Sequence, residues 1–384
     1  MIKHAHALKH APVLCITPPY MLENIARNGT PDQRIWAEQT LQATVVLKQQ
    51  REAVARGEVP SGAKAMTEGA GKQRHVYSAD NGSTLPGRLV RGEGQPSTGD
   101  VAVDEAYDGS GLTYDLYWDA YQRDSIDGGG LALISTVHYQ RSYDNAFWNG
   151  HQMVYGDGDE DRPAEEALFN RFTIALDIIA HELTHGVTSY EANLTYYGQP
   201  GALNESMSDV FGSLVKQRRL NQTAREADWI IGQGLFSANV NGVGIRSMKD
   251  PGTAYDDPTL GKDPQPGHMR DYVNTLDDNG GVHINSGIPN RAFYITAYEL
   301  GSLAWEKAGR IWYQVLCNRM TNSSTFQDAA NLTHQVAGEL YGVNSLEQQA
   351  VRKGWTEVGI EIGSVPDDRP GCLTSLLNLF RPSR

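Results

Sequence analysis

Cysteine is scarce in this chain, which has three among its 384 residues: Cys15, Cys317 and Cys372. They are widely spaced and odd in number, so they supply neither a disulfide framework nor a paired-cysteine metal site. Continuous apolar runs of about 18 residues, the length that a spanning helix needs, are also missing. The sequence therefore predicts a soluble globular protein without a transmembrane segment.

Positive charge is in the minority, with 33 lysines and arginines against 46 aspartates and glutamates. The formal charge of -13 provides no basic field for phosphate groups, which argues against a general nucleic-acid binder. The N-terminal segment has no apolar signal-peptide core, because prolines interrupt its short apolar run. The length allows two or three domains.

Local patterns change along the chain. Near the N-terminus, Thr30 fits an N-cap, Pro31 the first helical position and Gln33 the partner in a capping box, which predicts a helix. A linker rich in small residues follows, then short alternating runs separated by glycine-rich turns, which predict a mainly β region. Helical periodicity dominates the second half. The predicted divisions are 1–70, 71–190, 191–362 and a tail at 363–384.

The sequence "HELTH" stands directly after the apolar stretch "IALDIIA". Residues four apart share a helix face, so His181 and His185 can present their imidazoles to one point with Glu182 beside them. A catalytic zinc needs a third protein ligand, and the next predicted helix offers Glu205. Asp209 shares the face of Glu205 and can accept a hydrogen bond from a ligand imidazole. The pattern predicts a zinc site.

Five separated motifs occur in one order: "YDNAFWNGHQMVYGDGD", "HELTH", "NESMSD", "IRSMKDP" and "DNGGVHINSGIPN". Together they resemble the thermolysin family of zinc metallopeptidases. The earlier stretch "ITPPYMLENIARNGT" is similar to the short propeptide of the protealysin-like branch. The resemblance implies an α+β fold with an N-terminal β-rich lobe (71–190), a C-terminal α-helical lobe (191–362) and a central zinc-binding helix joining them. It also implies a short helical propeptide with its linker (1–70), hence a zymogen.

The resemblance implies a role for each matching position. His181, His185 and Glu205 would bind zinc, and Glu182 would be the general base. The remaining catalytic positions would be two donors to the oxyanion, Tyr196 and His283, and Asp278, which would orient His283. Contacts to substrate would come from Asn145, Ala146, Arg246, Phe169, Phe172, Ile178, Ile231 and Ile245. The apolar members predict cleavage on the N-terminal side of a large apolar residue.

These residue types suit peptide hydrolysis. Zinc lowers the pKa of a bound water and polarises the carbonyl, while a carboxylate takes the proton of the water and delivers it to the leaving amine. The tetrahedral species carries a negative oxygen, so hydrogen-bond donors are needed where that oxygen develops.

The double calcium site that many family members carry is expected to be absent. Asp177 and Asp228 match its pattern, but Lys216 stands where a glutamate is expected, and Ile230 and Gln233 replace further acids. Calcium prefers six to eight oxygen ligands, which this set does not supply. We expect Lys216 to form an ion pair with Asp177 or Asp228 instead. Calcium at the acidic turn "YGDGDED" stays open.

Cys15 lies in the propeptide-like segment and allows two interpretations. Its thiolate can serve as a zinc ligand that keeps the precursor inactive until the segment is removed. Alternatively, Cys15 is a small buried apolar residue.

The leading hypothesis is a monomeric zinc endopeptidase that acts on peptides and proteins and is inhibited in cis by its propeptide. Secretion without a classical signal peptide is expected, with a cytoplasmic location as the alternative. Two rival classes are a binding protein that keeps zinc without turnover and a structural protein in which the metal holds the lobes together. The second rival needs a fourth protein ligand, for which Cys15 is the one available residue.

Overall fold

The computed structural model describes residues 14–55 and 71–363. Most of the predicted tail, 364–384, and the linker at 56–70 lie outside these ranges. The described N-terminal part, called the prosegment below (14–55), contains a short strand and two helices: β1 (Leu14–Cys15), α1 (Pro19–Asn28) and α2 (Pro31–Ala55). None of the helices in the described ranges combines the length and apolar character that crossing a bilayer would require.

The predicted capping box at the start of α2 is confirmed. The amide of Gln33 donates to Thr30 Oγ1 at 3.3 Å, and the Thr30 amide donates to Gln33 Oε1 at 2.9 Å. The same Gln33 side chain donates from Nε2 to the carbonyl of Glu166 at 2.7 Å. One glutamine therefore both begins the helix and docks it on the body of the protein.

The next part of the chain forms most of a six-stranded sheet and one long helix. Its elements are β2 (Arg74–Ser78), β3 (Arg88–Gly92), α3 (Val101–Tyr121), β4 (Leu133–Val137), β5 (Ala146–Trp148) and β6 (Met153–Tyr155). The strand order is β1-β5-β6-β4-β2-β3, so the prosegment strand β1 supplies an edge. β1 runs antiparallel to β5, with Cys15 opposite Phe147. The sheet of this lobe is thus completed by the prosegment.

A central helix connects the sheet to a mostly helical second half. It is α4 (Leu176–Tyr190), and its residues from Asp177 to Thr188 are all buried. The elements that follow are α5 (Gly198–Leu220), β7 (Ile230–Ile231), β8 (Arg246–Ser247), β9 (Asp256–Asp257), β10 (Gly261–Lys262), α6 (Asp277–Asn285), α7 (Gly287–Leu300), α8 (Ala308–Asn318), α9 (Phe326–Tyr341) and α10 (Leu346–Glu357). The predicted α+β fold is confirmed, and α4 lies at its centre.

Residues 278–281 interrupt α6 with an unusual backbone. Asp278, Asn279, Gly280 and Gly281 all have φ between 51° and 78°, in the left-handed region. Two glycines and an asparagine reduce the cost of such a run, because these residue types adopt positive φ most readily. The turn places the Asp278 carboxylate over the following amides, and it accepts from His283 N at 2.8 Å and Ile284 N at 3.2 Å.

The predicted ion pair of Lys216 is confirmed, and it joins both expected carboxylates. Lys216 Nζ lies 2.8 Å from Asp177 Oδ2 and 3.0 Å from Asp228 Oδ1. Asp177 also accepts from the amide of Gly232 at 3.1 Å. The ammonium group thus supplies the positive charge at the place where the family pattern implies a double calcium site.

Replacing Lys216 with Met is expected to destabilise the fold by on the order of 2 to 3 kcal/mol, because the buried Asp177 loses its counter-charge. The cost stays below that of a fully buried pair since Asp228 keeps contact with water. Chemical unfolding measures the change, with Lys353→Met at an exposed pair as the matched control. Millimolar calcium should leave the melting temperature of the unchanged protein where it was. Two tightly bound calcium ions at this place would contradict the assignment.

Candidate active site

Three potential ligands converge where α4 packs on α5. His181 and His185 extend from one face of α4, with ring centroids 4.6 Å apart. Glu205 of α5 approaches both: its Oε2 lies 3.5 Å from His181 Nε2 and its Oε1 lies 3.4 Å from His185 Nε2. The three ligand atoms lie within 4.8 Å of one another, and all three side chains are buried. The spacing read from the sequence therefore produces a compact cluster.

The opposite ring nitrogen of each histidine is held by a hydrogen bond. Asp209 Oδ1 accepts from His181 Nδ1 at 2.8 Å, and Asn204 Oδ1 accepts from His185 Nδ1 at 2.8 Å. These contacts place the protons on Nδ1 and leave each Nε2 lone pair facing Glu205. Both Nε2 atoms and Glu205 Oε2 are buried without a hydrogen-bond partner in the described part of the chain. Such orphaned acceptors fit a zinc ion, which takes imidazole nitrogen and carboxylate oxygen in tetrahedral sites.

Burial sets the protonation of the two histidines. It lowers the pKa of His181 to about 4, although Asp209 acts in the opposite direction, and it lowers the pKa of His185 to about 3. Both rings are thus neutral near pH 7, the form that ligates a metal. Burial would raise the pKa of Asp209, but Arg246 and His181 hold that pKa well below its usual range.

Glu182 lies beside the ligand cluster and shares its buried surroundings. Its Oε2 accepts from the amide of Trp148 at 3.0 Å, and its Oε1 is buried without a hydrogen-bond partner in the described residues. Burial, reinforced by the nearby charge of Glu205, raises the pKa of Glu182 well above its usual value. A carboxyl group in this environment has a high proton affinity, as a group that must accept a proton from water requires.

His283, Asp278 and Tyr196 form a second polar group facing Glu205. Asp278 Oδ1 lies 2.5 Å from His283 Nδ1, and His283 Nε2 lies 3.1 Å from the hydroxyl of Tyr196. The Tyr196 hydroxyl also donates to Glu205 Oε1. Burial would lower the pKa of His283, but Asp278 and Glu205 outweigh it and raise that pKa to about 9. His283 and Tyr196 are therefore both hydrogen-bond donors aimed at the cluster.

The predicted substrate-binding residues contact the prosegment. The carbonyl of Ala146 accepts from the amide of Ile16 at 3.2 Å, and Asn145 Oδ1 accepts from the amide of Thr17 at 3.0 Å. Arg246 donates from Nη1 to the carbonyl of Ile16 at 3.4 Å. The prosegment thus lies along the edge strand at which the sequence places a substrate.

The side chain of Ile16 is fully buried in the main apolar core. The same core contains all five predicted apolar contacts of the substrate: Phe169, Phe172, Ile178, Ile231 and Ile245. These five are themselves 1% exposed or less. Because this core extends through most of the molecule, their contact with a substrate side chain stays a prediction.

The structure describes the surroundings of the Cys15 side chain. The Cys15 side chain belongs to a separate apolar cluster with Tyr139, Tyr143, Phe147 and Val154, and it is not grouped with the metal ligands. Burial raises the pKa of this thiol far above its usual value, which disfavours the thiolate that a zinc ligand requires. In the pairing of β1 with β5, Cys15 lies opposite Phe147, a member of the same cluster. This burial favours the small-apolar interpretation, and the switch stays an untested alternative.

Four polar residues of the site were not identified from the sequence. Asn204 and Ser208 both contact His185 Nδ1, the latter at 3.0 Å, and Asn290 Nδ2 donates to Asp209 Oδ2 at 2.8 Å. Gln265 donates to the carbonyl of His283 at 2.7 Å. A local signal existed for the first two, since residues 204 and 208 are four apart on one helix face beside Glu205. Asn290 and Gln265 reach the site from distant segments and carry no such signal.

Comparison with known proteins agrees with this geometry. Residues 59–189 match the family model for the thermolysin metallopeptidase catalytic domain, and residues 192–360 match the model for its alpha-helical domain. An extracellular metalloprotease of Pectobacterium carotovorum subsp. carotovorum is 51% identical over 92% of this chain and 99% of its own length. Protease PrtS of a Photorhabdus species is 46% identical over 90% of this chain and 92% of its own.

Among solved structures, the precursor of protealysin, a metalloproteinase from Serratia proteamaculans, is similar over 90% of this chain and 99% of its own, with a TM-score of 0.80 and 51% identity. The two family models together span most of the chain and include the cluster of His181, His185 and Glu205. The chain therefore belongs to the thermolysin family of zinc metallopeptidases.

Proposed function

We propose that this chain is a zinc endopeptidase that cuts before large apolar residues and is held inactive by its own prosegment. The observation that carries the proposal is the convergence of His181 Nε2, His185 Nε2 and Glu205 Oε2 beside Glu182. All three atoms are buried and have no hydrogen-bond partner among the described residues. A structural metal site would require a fourth protein ligand, and the described residues offer none in this cluster. The set therefore suits catalysis better than structure.

When bound to these three ligands, zinc supplies Lewis-acid polarisation of a carbonyl and lowers the pKa of water. Glu182 takes the proton of the attacking water and passes it to the leaving nitrogen, because its carboxylate is held by Trp148 with its second oxygen unpaired. His283 and Tyr196 donate to the oxygen that becomes negative. Asp278 keeps His283 in position by accepting from Nδ1.

The selectivity is assigned from the position of Ile16. Its amide and carbonyl are held by Ala146 and Arg246, and its side chain is buried in the core that contains Phe172 and Ile178. A substrate residue bound in the same way would place its side chain in the same apolar surroundings, where burial of a Leu or Ile side chain contributes about 1.5 to 3 kcal/mol. Charged residues there would lose their hydration without gaining a partner.

The prosegment is proposed as the inhibitor in cis, since it covers the edge strand and the donors that substrate needs. We propose the divisions 1–70 for prosegment and linker, 71–190 and 191–362 for the two lobes, and 363–384 for the tail. The relatives' extracellular naming supports secretion of this chain as well. We propose that it acts as a monomer on peptides and proteins.

A fluorogenic peptide assay tests the function. The full chain is first treated with trypsin, for which the linker provides Arg56 and Lys64. Two peptides that differ at one position, Leu or Asp after the cut, are then compared with and without a metal chelator. We expect the Leu peptide to be cut at least about 10-fold faster, as burial of one large apolar side chain provides, and the chelator to abolish both rates. Equal rates for the two peptides would contradict the selectivity, and activity in the chelator would contradict the metal.

A further inference from the structure

The prosegment crosses the site as an extended peptide of fixed direction. β1 pairs antiparallel with β5, Leu14 opposite Trp148 and Cys15 opposite Phe147. Beyond the strand, the amide of Ile16 donates to Ala146 at 3.2 Å. The main chain is thus held on both sides of one peptide bond, that between Cys15 and Ile16.

This bond presents its oxygen to the donors of the site. His283 Nε2 donates to the carbonyl of Cys15 at 3.1 Å, and the Tyr196 hydroxyl lies 3.1 Å from the same nitrogen. The Cys15 carbonyl therefore already contacts one of the two groups assigned to the negative oxygen of the reaction, and the other group lies beside that donor. Within the described residues, no other carbonyl of the prosegment accepts a hydrogen bond from His283 or Tyr196.

The nitrogen of the bond is held by β5, the strand that also contacts the proposed base. The amide of Ile16 donates to the carbonyl of Ala146 at 3.2 Å, and the amide of Trp148, two residues further along β5, donates to Glu182 Oε2 at 3.0 Å. Beyond the bond, Arg246 donates to the carbonyl of Ile16, and the amide of Thr17 donates to Asn145 Oδ1. The bond thus has its oxygen on His283 and its nitrogen on the strand that contacts Glu182, an arrangement that suits hydrolysis.

We propose that the Cys15–Ile16 bond is a self-processing site, cut by the enzyme in its own precursor. The step rests on the proposed function. Water adds to the carbonyl carbon of Cys15, the C–N bond breaks, and the proton that Glu182 takes from water is passed to the nitrogen of Ile16. The products are residues 1–15 with a new carboxylate and a chain that begins with the amine of Ile16.

This first cut leaves the rest of the prosegment in place. Met21, Leu22 and Ile25 of α1 are at most 1% exposed, and Asn24 donates to the carbonyl of Leu260 at 3.0 Å. Because those contacts lie beyond the cut, residues 16–55 stay docked until the linker at 56–70 is also cleaved. Processing thus has two stages, of which the first takes place inside the cleft.

The test follows the full-length chain after zinc is added to metal-free protein, by intact mass and N-terminal sequencing over time at several protein concentrations. We expect loss of residues 1–15 and a new N-terminus at Ile16 before any cut after residue 55, at a rate independent of concentration. Ile16→Asp should slow this cut at least 10-fold, whereas Ile35→Asp, the same change at a half-exposed position of α2, should not. The Glu182→Gln chain should stay whole.

A second measurement needs neither zinc nor turnover. In the metal-free chain the Cys15 thiol is buried, so alkylation at Cys15, read by peptide mapping, reports whether the segment occupies the cleft. Ile16→Asp should accelerate the alkylation of Cys15 at least 10-fold, and Ile35→Asp should leave its rate unchanged. If Cys15 stays protected in the Ile16→Asp chain, the proposed position of the segment in the cleft is wrong.

If trypsin-treated protein cuts the Leu reporter but the Cys15–Ile16 bond stays intact in the precursor, the self-processing proposal is wrong and the proposed function stands. Failure of both reactions overturns the proposed function as well. A first cut in the linker, with Cys15–Ile16 still joined, also overturns the order of events.

Discussion

Replacing Glu182 with Gln is expected to reduce kcat/KM on the Leu reporter by roughly a thousand-fold, with zinc content and melting temperature preserved. The amide keeps the shape of the carboxylate and its oxygen can still accept from Trp148, but it cannot take a proton from water. The loss should appear in kcat, because the group acts on the reacting atoms and makes no contact that holds the remainder of a substrate.

Glu357→Gln is the matched control, since it makes the same chemical change on the exposed end of α10. Its activity should equal that of the unchanged enzyme. If Glu182→Gln retained more than a tenth of the original kcat with full zinc content, the base would have to be another group. If zinc were lost instead, the residue would be supporting the metal site.

Replacing Asp209 with Asn is expected to destabilise the protein by about 3 to 5 kcal/mol and to weaken zinc binding 10- to 100-fold. The carboxylate accepts from Arg246 Nε at 2.8 Å and Nη2 at 2.7 Å, and from His181 Nδ1 and Asn290 Nδ2, each at 2.8 Å. All four side chains are buried. Without the negative charge, the Arg246 guanidinium remains in the interior without a counter-charge.

Chemical unfolding and a zinc-competition titration measure the two effects separately. Asp119→Asn is the control, because Asp119 pairs with Arg218 at the surface and should change stability by less than about 1 kcal/mol. The double variant Asp209→Asn with Arg246→Met should be more stable than the sum of the two single changes predicts, since it removes both charges. Strict additivity would show that the pair is not energetically coupled.

The metal cluster could be predicted from the sequence because its geometry is local. Little more than one helical turn contains His181, Glu182 and His185. Helix periodicity alone therefore fixes which of these side chains share a face. Glu205 and Asp209 repeat that relation on the next helix. The Lys216 ion pair was also predictable. Lys216 stands at a position where the family pattern has an acidic residue, and a buried ammonium group needs nearby carboxylates.

The long helix α3 was not predicted, although its 21 residues lie in a region expected to be mainly β. Gly109 and Gly111 lower the helix propensity and suggest a turn. Tertiary packing explains them: a Cβ on Gly109 would lie 2.5 Å from Ile179 Cδ1, and one on Gly111 would lie 2.4 Å from Arg74 Nη1. The glycines allow neighbours to approach the helix closely, which periodicity within the segment cannot reveal.

The orientation of Cys15 was equally inaccessible to sequence reasoning. Whether its thiol or its carbonyl faces the site depends on the register between β1 and β5, and one residue of slip exchanges the two faces of a strand. The left-handed run at 278–281 is a similar case. It is the backbone of four consecutive residues that brings Asp278 onto His283.

The side chain of Gln33 has a consequence for what happens after the prosegment is cut free. Its oxygen is used within the prosegment, at the start of α2, and its nitrogen is used on Glu166 of the enzyme. Detachment breaks the contact with Glu166 and leaves the contact at the start of α2. A liberated prosegment therefore keeps the capping box that begins its helix. A fragment that keeps its helix start loses less conformational entropy when it binds the enzyme again. It is therefore suited to rebind as a separate molecule. The released peptide then inhibits the enzyme to a degree set by its concentration. Inhibition is strongest in confined volumes and is relieved by dilution.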